Sequence, residues 1–460
     1  MYNKMNKLLV NKVKILKSCM LLLFLSFSLH ADISIQNAWE DVLHKHNGLK
    51  ASSSDIQYAK LKQESAEGMY LPSVSLTGSY THLNEPIGFD TSGLSNFLGA
   101  LPVPISFPSE IDLLDDDITL VDLQVLYPLY MGGKIDAAQD AYAAKSAEAK
   151  AHHRIAEDKA FLELVKLYYG VIVTKSLYRT RVESQKSLQI HYGFSQKLYK
   201  EGQIAKAELL HAKVKLNAAK IESMKAKHKS EIVQSAFYKM VQRHSKPNSS
   251  LFIARNMRVQ NYYVEKSIDG YAMIEVLDAK AKQTSALVNI EESAWQPKVL
   301  GFANVNLYKG DSPLEELAPS WMIGVGVKFD LFSRKDRAKE VEAAKVLQSK
   351  VASLKMQAQE DLSVAVQKTY DEMFLYQEEF TSLNAAMALA KENYKLRSLA
   401  FKEGLSTSVE VVEAQIFLSA SQTQRLNAAY NYVKKLSELC VLSGDRTLFF
   451  SFEKSSKRIK

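Results

Sequence analysis

Two carboxylates are the first candidates for chemistry in this chain. Glu410 and Glu413 lie in the run Gly404-Leu405-Ser406-Thr407-Ser408-Val409-Glu410-Val411-Val412-Glu413. A spacing of three sets both on one face of a helix, where acids can draw cations together. Thr407-x-x-Glu410 also fits a capping box with Thr407 as N-cap, and capping leaves most of the carboxylate free for other work. For Glu413 the ordinary alternative is a solvated helix face. Gly132-Gly133-Lys134 after a strand invites a phosphate-loop reading, but the full G-x-x-x-x-G-K-[ST] pattern is absent, so a strand-to-helix turn is expected there. His44-x-His46 and His152-His153 could suggest metal. Adjacent histidines on a helix point apart, and no cysteine or carboxylate cluster completes a site, so surface histidines are expected, with no metal and no cofactor. No set of nucleophile, base and orienting group supports an enzyme.

The elements that position these residues are announced by a repeat. Tyr199-Lys200-Glu201-Gly202 returns as Phe401-Lys402-Glu403-Gly404, and Tyr127-x-Leu129-Tyr130 as Phe329-x-Leu331-Phe332. Both pairs are the same distance apart, 401 − 199 = 202 and 329 − 127 = 202. Tyr168/Tyr370, Tyr192/Tyr394, Glu208/Glu410 and Leu216/Leu418 keep that register. A stretch without insertions over this distance implies continuous helix, and so long a period excludes a short-repeat solenoid. Two copies of one large hairpin follow.

Composition is that of a folded protein, 47% hydrophobic and 24% charged. No proline lies between Pro128 and Pro247 or after Pro319, which permits very long helices. The N-terminus predicts an export signal over 1–31. Lys4, Lys7, Lys12, Lys14 and Lys17 precede the apolar run from Met20 to Leu29, and Leu29-His30-Ala31 offers a cleavage site. The run is too short to span a membrane. Removing those five lysines takes the formal charge from +8 to +3, so the basic pI does not indicate nucleic-acid binding. The mature chain keeps one cysteine, Cys440, and thus has no internal disulfide.

The predicted order is an amphipathic helix from Ile35 to Met69, strands at about 72–82 and 117–127, and a helical hairpin over 134–243. A linker over 244–267 follows. The second copy then has a helix from Ile268, strands at about 297–308 and 320–331, and a hairpin over 336–441, with an irregular tail over 442–460. The strands alternate strictly: Val74, Leu76, Gly78 and Tyr80 oppose Ser73, Ser75, Thr77 and Ser79. Leu83 to Asp116, with four prolines, reads as a long exposed loop, and Lys309 to Pro319 as a shorter turn-rich one. Lys134 to Lys200 and Asp336 to Lys402 are 67 residues each (200 − 134 + 1; 402 − 336 + 1). Each would run about 100 Å as helix and needs lateral partners. Gly202 and Gly404 stand where C-cap glycines belong.

Four amphipathic strands from one chain suit an outer-membrane barrel but cannot close one, because the smallest closed barrels have about eight strands. The barrel reading therefore requires several copies. Two ordinary soluble hairpins remain the alternative on the strands alone.

The ordered set Leu71-Pro72-x-Val74-x-Leu76, Tyr127-Pro128-Leu129-Tyr130-x-Gly132-Gly133-Lys134, long helix, Tyr199-Lys200-Glu201-Gly202 and returning helix, used twice, resembles the TolC-type outer-membrane efflux proteins over about Ile33 to Gly444. The resemblance implies a mixed α/β membrane protein. Three chains would each give four strands to a 12-stranded outer-membrane β-barrel, continued by a long periplasmic α-helical barrel, with two internal structural repeats. It implies a homotrimer in outer-membrane lipid, with a periplasmic adaptor and an inner-membrane pump of the RND or ABC type as partners. It implies passive conduction in efflux or type I secretion. By the same resemblance Glu410 and Glu413, with Glu208 from the first copy, would ring the periplasmic entrance. Threefold symmetry would crowd six carboxylates from Glu410 and Glu413 into one constriction, sensitive to pH and divalent ions. The tips Lys200, Glu201, Gly202, Gln203 and Lys402, Glu403, Gly404, Leu405 would meet the adaptor. Ser406 stands where the family usually has a latching arginine, Asn47-Gly48 where it usually has Asn-Pro, and Ser333-Arg334-Lys335-Asp336 lacks the glycines of the first copy. A structural or adhesive coiled-coil protein of the periplasm or surface is the competing reading. Cargo is not legible.

Overall fold

The computed structural model describes residues 32–100, 108–308, 310, 312–317 and 319–459. The expected signal peptide and part of the proline-rich loop lie outside them. The chain forms two compact units. One combines the described residues up to Ser54 with Ala151–Ile274 and everything from Gln357 onward; the other combines Asp55–Lys150 with Glu275–Met356.

The second unit is built on one antiparallel sheet. Its strands are β1 (Ser73–His82), β4 (Asp117–Tyr130), β6 (Lys298–Tyr308) and β7 (Trp321–Lys328), in the order β1-β4-β6-β7. The register sorts side chains into rows. Leu76 faces Leu123, Leu123 faces Val305, and Val305 faces Trp321. The adjacent row is Ser75, Gln124, Asn304 and Met322. Because neighbouring rows point to opposite sides, the sheet has one apolar and one largely polar face. The apolar face is open: Leu76, Trp321, Ile323, Val325 and Val327 are each at least 65% exposed. Lys134–Lys200 (α4) follows β4 through a turn in which Gly132 and Gly133 have φ of 66° and 79°. A Cβ on Gly132 would lie 2.5 Å from Gln296 Cβ, so glycine is required there. No phosphate-type loop is formed.

Three expectations for this unit need correction. Leu83 to Asp116 is not all loop, since β2 (Ile87–Asp90) pairs with β3 (Glu110–Leu114) and α3 (Ser92–Gly99) lies between them. Between β6 and β7 a short helix, α8 (Pro313–Leu317), forms. Finally, β7 ends at Lys328 instead of running to Leu331. Asp330 faces Lys298 and Lys328 at 3.8 and 3.7 Å, and its carbonyl accepts from Arg337, which draws the chain out of the ladder. Helix α9 (Arg337–Lys402) then begins one residue after Asp336. The Asp336 carboxylate accepts from the backbone N–H groups of Ala338 and Lys339 at 3.0 and 3.2 Å.

The first unit holds the larger core. Trp39, Phe161, Tyr169, Phe252 and Phe449 meet edge-to-face with centroids 5.3 to 6.3 Å apart, the preferred aromatic geometry. The Tyr168 hydroxyl donates to the Ile33 carbonyl at 2.9 Å. Arg446 bonds Glu157 at 2.6 Å and Asp158 at 3.0 Å and lies over the Trp39 ring. Burial is the dominant influence on Asp158, whose pKa rises to about 6 despite Arg446.

Here too the sequence reading needs correction. The helix expected from Ile35 to Met69 is two helices, α1 (Ile35–Lys45) and α2 (Asn47–Glu67). His46 breaks it in an extended conformation: its N–H closes on the Val42 carbonyl, and its own carbonyl accepts from Leu49 and Lys50. In the same way α6 (Gln260–Gly270) and α7 (Ala272–Glu292) are parted by Tyr271, and most of α6 falls in the expected linker, beside β5 (Phe252–Ile253). The tail is ordered. Gly444, at φ 72°, packs so closely on Gly270 that a Cβ would come within 2.4 Å of its backbone. The helix α11 (Thr447–Ser455) then buries Phe449, and β8 (Lys457–Arg458) pairs with β5. Burying one such ring stabilises by about 1.5–3 kcal/mol, and the β8–β5 pairing and the Gly444–Gly270 contact hold the tail with it. Cys440 is fully buried, and burial raises its thiol pKa.

Candidate functional site

The two hairpin tips belong to the first unit. At the first, α4 ends and α5 (Lys206–Val241) begins; at the second, α9 ends and α10 (Ser408–Leu442) begins. Both stops share one design. Gly202 and Gly404 each have φ 73°. Gln203 N–H donates to the Leu198 carbonyl at 2.8 Å and Gly202 N–H to Tyr199 at 3.0 Å; Leu405 and Gly404 do the same to Ala400 and Phe401 at 2.8 and 3.2 Å. These are paired Schellman closures, which need a left-handed residue and therefore favour glycine. Lys200, Glu201 and Gln203 are exposed on one tip, and Lys402, Glu403 and Leu405 on the other.

The two restarts differ. Thr407 caps α10, its hydroxyl accepting from Glu410 N–H at 3.3 Å, while Glu410 accepts from Thr407 N–H at 2.9 Å. The same carboxylate accepts from the Ser406 hydroxyl at 2.6 Å and from Arg397 at 3.0 Å. The Ser406 bond comes first among the causes that hold Glu410 below the usual carboxylate pKa. Hydrogen bonds and an opposite charge both favour the ionised form. Glu413 is exposed one turn on, without an ion pair among the described residues. In the first tip Ala205 occupies the cap position and offers no side-chain bond. Glu208 instead reaches to the other hairpin and accepts from Ser408 N–H at 3.3 Å.

The three acids thus lie at the beginnings of the returning helices, and Glu208 and Glu410 flank Ser408 on different hairpins. Sequence spacing does not reveal Arg397 or His191. Arg397 is 13 residues from Glu410. His191 Nε2 lies 2.8 Å from Ser408 Oγ, 217 positions away in sequence. The one clue is that the repeat register puts Asn393 opposite His191. Among the described residues neither histidine pair belongs to a cluster of three or more ligand-type side chains. His153 Nδ1 is 2.7 Å from the Ser52 hydroxyl and its Nε2 is 3.4 Å from Glu157. Among the described residues no helix is long and apolar enough to cross a membrane.

Comparison with known proteins gives the tips their context. No curated protein matches the chain. Solved structures share its fold. The outer membrane protein VceC from Vibrio cholerae superposes with a TM-score of 0.71 at 16% identity, covering 90% of this chain and 96% of that one. CusC, solved in a study of folding and transmembrane channel formation, gives 0.73 at 12% identity, covering 91% and 96%. The Campylobacter jejuni CmeC outer membrane channel gives 0.70 at 13% identity, covering 93% and 90%. The family model described as "Outer membrane efflux protein" matches residues 38–241 and 273–445. With most of its length so matched, the chain belongs to the outer membrane efflux protein family and is a non-catalytic channel of the outer membrane with a large periplasmic helical part.

Proposed function

We propose that three copies of this chain form one duct, each giving four strands to a twelve-stranded barrel and its helices to a periplasmic tunnel. The supporting observation is the sheet. Its apolar row Leu76, Leu123, Val305 and Trp321 is a lipid-facing pattern, and β1 and β7 each keep one unpaired edge. In hydrocarbon such edges must be paired, so copies must join edge to edge. The strands have 10, 14, 11 and 8 residues, close to the 9–11 that cross a bilayer when tilted. A coiled-coil spacer has no use for a sheet with an open apolar face.

In this reading the two copies of the sequence pattern are internal structural repeats. The tips Lys200–Gln203 and Lys402–Leu405 dock a periplasmic adaptor, through which an inner-membrane pump delivers cargo for efflux or secretion. Glu410 and Glu413, with Glu208 behind them, line the entrance. The test is threefold: co-sedimentation with the outer membrane, a trimer in detergent that heat dissociates, and conductance in planar bilayers. Release by plain buffer as a single subunit would refute the reading.

A further inference from the structure

Ser408 is held from two sides by the other hairpin. It is fully buried, and it is the first residue of α10, whose leading N–H groups have no partner within the helix. The capping box satisfies Thr407 and Glu410; the Ser408 N–H goes to Glu208 on α5 and its hydroxyl to His191 on α4. His191 is 5% exposed, and its ring rests on Phe401, the centroids 4.6 Å apart. It therefore touches both helices that meet at the second tip. Other links between the hairpins nearby are Lys402 over the Phe194 ring, an apolar cluster of Leu188, Leu216 and Val412, and Arg181 to the Ser419 hydroxyl at 2.8 Å, three turns further along α10.

We propose that His191 and Glu208 are positioning residues of the entrance, clasping Ser408 so that the second hairpin stays against the first, and that acid opens this clasp through His191. The proposal rests on the channel reading above. The charged and titratable groups facing the imidazole are few. From α5 come His211, whose charge acts on it, and Glu208, which is engaged with the Ser408 N–H. From α10 comes Ser408 itself. From α9 comes the Phe401 ring, while Lys402 lies over Phe194, 5.1 Å from that ring. On its own helix, the Ser195 hydroxyl donates to the His191 carbonyl. Among the described residues no carboxylate pairs with the imidazole, and Glu208, which faces it, is already engaged with the Ser408 N–H. Once protonated, the imidazole Nε2 would keep a bond to Ser408 Oγ, but the buried charge would favour release of the ring to water.

Burial, with His211 second, holds the His191 pKa down to about 4. A ring freed into water returns to about 6.5. The clasp is therefore fully stabilised above about pH 6.5 and loses that stabilisation as pH falls toward 4.

The experiment records bilayer conductance of the full chain and its variants from pH 7.5 to 4.5. Hydrogen–deuterium exchange of the segment 401–412, corrected for intrinsic rates, accompanies it. Wild type should open several-fold more often at the acid end, with faster exchange of that segment. His191→Gln keeps a hydrogen-bonding side chain but cannot titrate, and should stay closed across the range. His191→Ala should be open and fast-exchanging at every pH. Glu208→Ala should open more at pH 7.5 yet keep the acid response. The entrance carboxylates titrate alike in wild type and His191→Gln, so the difference between the two isolates the histidine. Superposable pH profiles for these two would overturn the proposal, as would a closed His191→Ala. A wild type that conducts nothing would sink the channel reading, and the exchange profiles would still judge the clasp.

Discussion

The two hairpin tips carry the same stop and different restarts. Each ends its long helix on a left-handed glycine with the same pair of backbone bonds. Beyond it, three groups gather Glu410: Ser406, Thr407 and Arg397. The register of 202 puts Ile204, Ala205 and Ser195 at those three positions in the first copy. None of them bonds the Glu208 carboxylate, which reaches Ser408 across the hairpins. Position 206, the counterpart of Ser408, is lysine and lacks the hydroxyl that Ser408 offers His191, while Asn393 stands at the position of the histidine. A duplicated design has thus become directional: the second tip is closed locally, and the first is spent on holding it. Ser406, at the position of the family's arginine, leaves Glu410 with a cation all the same, because Arg397 approaches from α9.

The most severe way to break the comparison is to delete the carboxylates of one side. Glu410→Ala with Glu413→Ala should abolish block of conductance by divalent cations, while Glu208→Ala should leave block in place; equal loss in both would erase the functional difference between the tips. Backbone strain probes what they share. A Cβ at Gly202 or Gly404 meets nothing within 4 Å, but Gly202→Val and Gly404→Val force a β-branched residue to φ 73°. Each should cost roughly 1–2 kcal/mol in thermal unfolding of the assembly, by similar amounts. Thr407→Ala should cost about 1 kcal/mol through the lost cap. Ser406→Ala instead removes a hydroxyl whose bond is accepted by the ionised Glu410 carboxylate. Glu410 has a lowered pKa in the fold, so this contribution is present above the ordinary carboxylate pKa and disappears as pH falls through the lowered one. The difference between Ser406→Ala and wild type should therefore shrink at low pH. The smallest effect sharpens the contrast. Ala205→Thr should give the first tip its own cap, stabilise α5 by less than about 1 kcal/mol, and draw Glu208 away from Ser408. An unchanged closed state in that variant would show that Glu208 does not hold the second hairpin.

How much of this is legible in sequence depends on range. The strands are written in alternation, and the long helices in the absence of proline, because both signals are local. The capping box is equally local, with Thr407 and Glu410 three apart. Breaks without a local marker are not legible. His46 is neither glycine nor proline, and its extended backbone is fixed by bonds to Val42, Leu49 and Lys50. Asn248 to Tyr262 and the tail look irregular in isolation because β5 and β8 are two-residue strands that exist only through each other. Phe449 earns its place through rings on Trp39's side of the core that lie hundreds of residues earlier. His191 is invisible for the same reason. A lone histidine between Ile190 and Tyr192 acquires meaning only when Ser408 and Phe401 fold against it.

The central claim is that one chain builds only part of a wall, so the decisive measurement is the native mass of the full protein embedded in lipid nanodiscs. A single species of three chains that spans the disc is expected. A stable species of one chain with the same sheet would contradict the claim.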